Sequence, residues 1–112
     1  MDIAFKNQAL ANLINSEKAL RKKFGEECGR KIMRRMEVLS AATCLTEVPT
    51  QPPEKRHMLK ADRQGQFAVD AHKQYRIVFV PDHDPIPKKP DGGIDLTKVT
   101  AIVILSVEDY HG

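Results

Sequence analysis

The chain has 112 residues, 41% of them apolar, with four phenylalanines and no tryptophan, so it is expected to form one domain, residues 1–112, around a modest aliphatic core. No apolar run approaches the roughly 18 residues that a membrane span needs, and Met1-Asp2-Ile3-Ala4-Phe5-Lys6 lacks the layout of a signal peptide, so a cytoplasmic protein is expected. The net charge is +3, but residues 48–80 hold six Lys and Arg against three Asp and Glu, whereas residues 81–112 hold three against six.

In chain order, Ile3 and Phe5 alternate as on a short first strand. Leu10, Leu13 and Ile14 then recur at helical spacing, and Ala19, Leu20 and Phe24 continue the pattern past Ser16, which reads as an N-cap or a local break. Gly25 is a stop. From Glu26 the stripe Cys28, Ile32, Met36, Leu39 defines a second, longer helix ending near Ala41-Ala42, with Arg30, Lys31, Arg34 and Arg35 on its other faces. Cys28 and Cys44 lack the CxxC spacing of a zinc or redox site, and Cys28 reads as core.

Pro49, Pro52 and Pro53 make residues 46–56 a connector. Segments 58–61 and 66–71 flank the turn sequence Asp62-Arg63-Gln64-Gly65 and suggest a hairpin; strands follow at 75–80 and 99–107, separated by a long loop over 81–98. The order implies an α+β fold in which two N-terminal helices pack on one face of a small, mainly antiparallel sheet. The opposite face is then open for a site.

Three polar clusters border these strands: Arg56-His57-Met58-Leu59-Lys60, His72-Lys73-Gln74-Tyr75-Arg76 and Glu108-Asp109-Tyr110-His111. The inventory suits RNA cleavage without a metal. The 2′-hydroxyl attacks the adjacent phosphorus once a base takes its proton, an acid protonates the leaving 5′-oxygen, and cations stabilise the phosphoryl oxygens. Histidine titrates near working pH, and arginine offers phosphate a bidentate fork. His57, Lys60, Arg76 and His111 are the candidate catalytic groups; Arg63, His72, Lys73, Asp109 and Tyr110 are candidate substrate contacts.

Each has a plainer reading. Arg63 is a turn residue, His72 and Lys73 occupy a turn before a strand, Arg76 forms a structural ion pair, and Asp109 orients a neighbouring His or Arg. No metal or cofactor is implied: His83 sits between Asp82 and Asp84 in a loop, with no HExxH or paired-cysteine motif beside it.

The strings Arg34-Arg35-Met36-Glu37-Val38-Leu39-Ser40-Ala41-Ala42, His57-Met58-Leu59-Lys60-Ala61-Asp62-Arg63-Gln64-Gly65, Tyr75-Arg76-Ile77-Val78-Phe79 and Glu108-Asp109-Tyr110-His111 occur here in one order. In them the chain resembles the HigB-type, or plasmid-maintenance killer, toxins of the RelE superfamily. That resemblance implies a toxin of a type II toxin–antitoxin system, acting as a ribosome-dependent messenger-RNA endonuclease. Its partners would be the ribosome, messenger RNA and a helix-turn-helix antitoxin. The chain departs from many members in having His72-Lys73 where they place an arginine. A non-catalytic protein of the same fold that binds RNA or an antitoxin is the alternative.

Overall fold

The computed structural model describes residues 1–110. The chain opens with strand β1 (Asp2–Phe5) and continues into helices α1 (Gln8–Ile14), α2 (Glu17–Phe24) and α3 (Glu26–Ala41). Three helices thus replace the expected two. The break falls at Ser16, whose backbone is extended and whose hydroxyl accepts the Ala19 N–H at 3.1 Å, so a side chain that competes with the helix ladder starts a new helix. Gly25, at φ +91°, then separates α2 from α3 in a conformation that other residues avoid.

The remaining strands are β2 (His57–Met58), β3 (Phe67–His72), β4 (Tyr75–Pro81) and β5 (Ala101–Asp109). They form a five-stranded sheet in the order β1-β5-β4-β3-β2. β1 runs parallel to β5 and the other pairs are antiparallel, so the sheet is mixed. Strand β2 is shorter than the expected hairpin arm, because Ala61–Arg63 closes into a 3₁₀ turn with Ala61 at φ +58°. Two further 3₁₀ turns, Leu45–Glu47 and Leu96–Lys98, lie outside the N-terminal helices. No helix among the described residues is long and apolar enough to cross a membrane.

One sheet face carries the core. Phe67, Val69, Ile77, Phe79, Ile102 and Ile104 are buried there in one cluster with Leu20, Ile32 and Leu39 of the helices, and Phe67 and Phe79 stack with centroids 6.0 Å apart. Cys28 joins this cluster, as its place in the helical stripe implied. The other face holds a small cluster of Leu59, Ala68 and Val78, with Leu105 against it.

Two register shifts decide which polar groups reach that second face. Val78 pairs with Ser106 but Phe79 pairs with Ile104, which leaves Leu105 unmatched. Upstream of it the even-numbered Ile102 and Ile104 face the core; downstream the odd-numbered Val107 does, and Glu108 turns to the open side with Ser106. In β3 the shift leaves Ala71 unmatched, since Asp70 pairs with Arg76 and His72 with Tyr75. It moves His72 toward the helices. Arg35, expected on an exposed helix face, is instead buried and donates from Nε to the Asp70 carbonyl at 2.8 Å and from Nη2 to the Ala71 carbonyl at 3.4 Å. A guanidinium thereby satisfies the carbonyls beside the irregularity.

Candidate functional site

Directly opposed residues in a sheet point to the same face. The register therefore lays two rows across the open side: His57, Ala68, Val78 and Ser106, and beside them Asp70, Arg76 and Glu108. Next to the rows a cleft of about 270 Å³ is lined by His57, Met58, Leu59, Lys60, Arg63 and Arg76. Four of the candidates named from the sequence thus line one cleft.

Glu108 is the hub of this surface. Its carboxylate accepts from Arg63 Nη1 and Nη2 at 2.7 and 3.0 Å, from Arg76 Nε and Nη2 at 3.2 and 2.8 Å, and from Ser106 Oγ at 3.0 Å. The Arg63 guanidinium, with help from Arg76 and Ser106, holds the Glu108 carboxyl down to about 2 against the opposing effect of partial burial. Arg63 also donates from Nε to Gln66 Oε1 at 3.2 Å, so the turn residue is tied to the last strand. Both the turn reading of Arg63 and the ion-pair reading of Arg76 describe these contacts.

Tyr110 closes the network. Its hydroxyl donates to Asp70 Oδ1 at 2.9 Å, and its ring lies under the Arg76 guanidinium, 4.7 Å from centroid to Cζ. Burial raises the Tyr110 phenol above its ordinary value, and the Asp70 carboxylate raises it further, so the phenol stays protonated at neutral pH. Lys55 Nζ lies 3.9 Å from the other Asp70 oxygen.

His57 is exposed on β2, with Nδ1 2.8 Å from the Lys55 carbonyl. A carbonyl only accepts, so Nδ1 carries the proton in the neutral ring and Nε2 keeps its lone pair. That nitrogen is able to take a proton from a substrate.

His72 and Lys73 are not in the cleft. They line a separate groove with Phe24, Gly25, Glu27 and Cys28, where His72 Nε2 lies 3.8 Å from Glu27 Oε2 and Lys73 occupies the β3–β4 turn at φ +53°. Asp109 pairs in register with Tyr75 and accepts from Gln74 Nε2 at 3.4 Å. His111 lies outside the described residues. His83 accepts the Thr100 N–H at its Nε2, 3.1 Å away.

Reasoning from the sequence passed over Glu108, Asp70 and Ser106. The available signal was Arg76 itself: a cation in a central strand requires a counter-charge on the neighbouring strands, and Asp70 and Glu108 are the acidic residues that flank it in register.

No protein-family model matches the chain, and no curated protein sequence matches it. Solved structures of similar fold do exist. The chain is similar to the YoeB dimer from Staphylococcus aureus, with a TM-score of 0.54 at 19% identity over 100% of this chain and 98% of that one. It is also similar to a YoeB/ParE toxin from Agrobacterium tumefaciens, with a TM-score of 0.55 at 11% identity over 99% and 100% of the two chains. At these identities the shared property is the fold, and neither structure is described as HigB.

Proposed function

We propose that this chain is the toxin of a type II toxin–antitoxin pair, of HigB type, and that it cleaves messenger RNA on the ribosome through the RNA 2′-hydroxyl. The observation that carries the proposal is the meeting of His57, Lys60, Arg63 and Arg76 around one cleft on the helix-free face of the sheet. His57 Nε2 takes the 2′-hydroxyl proton. Lys60 and Arg76 face the phosphate, whose negative charge increases at the crowded phosphorus. His111 returns a proton to the leaving 5′-oxygen. The products are a 2′,3′-cyclic phosphate, or the 3′-phosphate formed from it, and a 5′-hydroxyl. The chain's own side chains supply the proton transfers and the charge stabilisation in this scheme.

The partner in neutralisation is a helix-turn-helix antitoxin, and its co-expression relieves the growth arrest that the toxin alone causes. The test of chemistry uses ribosomes programmed with a defined transcript. Scission is expected to leave cyclic or 3′-phosphate ends and to stop when the scissile nucleotide is 2′-deoxy. Ends bearing 5′-phosphate, or cutting undiminished by the 2′-deoxy substitution, would overturn the mechanism.

A second reading has one observation in its favour. Arg63 and Arg76 are both paired with Glu108, as in a structural ion network, which suits a non-catalytic protein that binds RNA or an antitoxin. Ribosome or RNA binding without any cutting would select it.

A further inference from the structure

We propose that Glu108 is the positioning residue of this site: it ties down Arg63, fixes the guanidinium plane of Arg76, and leaves the Arg76 Nη1 edge as the donor to a non-bridging oxygen of the scissile phosphate. The proposal rests on the RNA-cleavage reading for its ligand, and on geometry alone for the positioning.

The donors can be followed one by one. All three nitrogens of Arg63 are committed, Nε to Gln66 and Nη1 and Nη2 to Glu108. Arg63 therefore has no free fork for substrate. Arg76 gives Nε and Nη2 to a single Glu108 oxygen, while among the described residues nothing takes the protons of its Nη1. Tyr110 covers one face of the guanidinium, and the side chain retains 15% of its accessible surface on the wall of the cleft. An arginine held along one edge and one face offers its remaining edge in a fixed direction, which lowers the ordering cost when phosphate arrives.

Two cations and one carboxylate leave a single net positive charge in this network. Simple electrostatics then predicts that neutralising Glu108 improves the site for a polyanion. Positioning predicts the opposite for the chemical step, because the extra charge does not compensate for a guanidinium that has lost its orientation. The two ideas separate in the kinetics. Ser106 Oγ, at 3.0 Å from Glu108 Oε2, fixes the carboxylate from the strand side and completes the anchoring.

The experiment compares Glu108→Gln, Arg76→Ala and the double variant with the wild-type protein. Single-turnover cutting of programmed ribosomes is measured over a range of toxin concentration, with the Arg76 Nε–Hε signal followed by ¹⁵N relaxation in the free protein. For Glu108→Gln the expected result is a maximal rate lowered by about tenfold at an unchanged or lower half-saturating concentration, together with a mobile Arg76 side chain. The double variant is expected to cut no more slowly than Arg76→Ala alone, because Glu108 acts through Arg76.

An unchanged maximal rate for Glu108→Gln, losses that multiply in the double variant, or an equally ordered Arg76 signal without the carboxylate would each overturn the proposal. If the wild-type protein cuts nothing, the cleavage reading fails by itself. The relaxation measurement still decides whether Glu108 orders Arg76.

Discussion

Arg76 is held between two groups from one strand end: Tyr110 stacks beneath its guanidinium at 4.7 Å, and Glu108 binds its Nε–Nη2 edge at 3.2 and 2.8 Å. The tyrosine therefore contributes a ring as well as a hydroxyl, and the two are separable. Tyr110→Phe keeps the stack and loses the hydrogen bond to Asp70; it is expected to lower the single-turnover rate by less than about threefold. Tyr110→Ala loses both and is expected to cost about tenfold or more. Equal rates for the two variants would mean that the ring does not support Arg76.

For the proposed chemistry, Arg76→Ala and His111→Ala are each expected to remove at least about 1.4 kcal/mol of transition-state stabilisation, a factor of about ten in rate. Arg76→Lys restores part of the loss, because a point charge does not reproduce the guanidinium edge. Removing residues 110–112 is expected to abolish cutting while the far-ultraviolet circular dichroism stays close to wild type. Near wild-type rates in both alanine variants would place the chemistry elsewhere.

Arg35 is a stability element. Arg35→Ala strips a charged donor from the Asp70 and Ala71 carbonyls in a buried position and is expected to destabilise the protein by about 2–3 kcal/mol. Urea denaturation measures it. A midpoint equal to wild type would show that water satisfies the two carbonyls equally well.

Gly29 sets the distance between α2 and α3. A Cβ added there would stand 3.0 Å from the Arg21 backbone nitrogen and 3.1 Å from the Leu20 carbonyl carbon, and backbone yields little. Gly29→Ala gains roughly 1 kcal/mol of helix propensity but meets an overpacking cost of about 1–3 kcal/mol. Net destabilisation with a lower melting temperature is expected; a higher one would show that the helices separate freely.

Acid should weaken the fold through Glu108. Its folded carboxyl titrates at about 2, below its ordinary value of 4.5, so the unfolded chain takes up the proton first. The contribution to stability is therefore complete above about pH 4.5 and is lost as the pH falls toward 2. Glu108→Gln is expected to be less stable than wild type at neutral pH and to show a flatter decline across that window. Parallel urea midpoints for the two proteins between pH 5 and pH 2 would remove Glu108 from the acid response.

The helical half of the fold was legible because its signals are local. Cys28, Ile32 and Leu39 form a buried stripe on α3, and Ser16 and Gly25 carry their own boundary chemistry. The strands observed at 67–72 and 75–81 were legible for the same reason, from a period-two segment at 66–71 and an apolar run at 75–80. The parallel pairing of β1 with β5 was not, because it joins residues about a hundred positions apart and leaves no local trace. Within the site, His57, Lys60, Arg63 and Arg76 were recoverable as residue types beside strands. The placement of Glu108 and His72 was not legible, because the face each occupies depends on an unmatched residue, Leu105 in one strand and Ala71 in the other, that no apolar pattern announces.

The unmatched Leu105 works as a frameshift within β5. Its even-numbered residues face the core as far as Ile104 and the polar surface from Ser106 on, and one supernumerary residue converts between the two. The face that Glu108 occupies therefore depends on Leu105 staying outside the ladder. A Leu105 deletion joins Ile104 directly to Ser106 and leaves Ser106, Val107 and Glu108 on the faces they already occupy, whereas a Leu105 that took an ordinary place in the ladder would turn the Glu108 charge into the hydrocarbon layer under the helices. Among variants of this sequence, the loss of Leu105 should be tolerated better than the insertion of a residue that pairs in the ladder there.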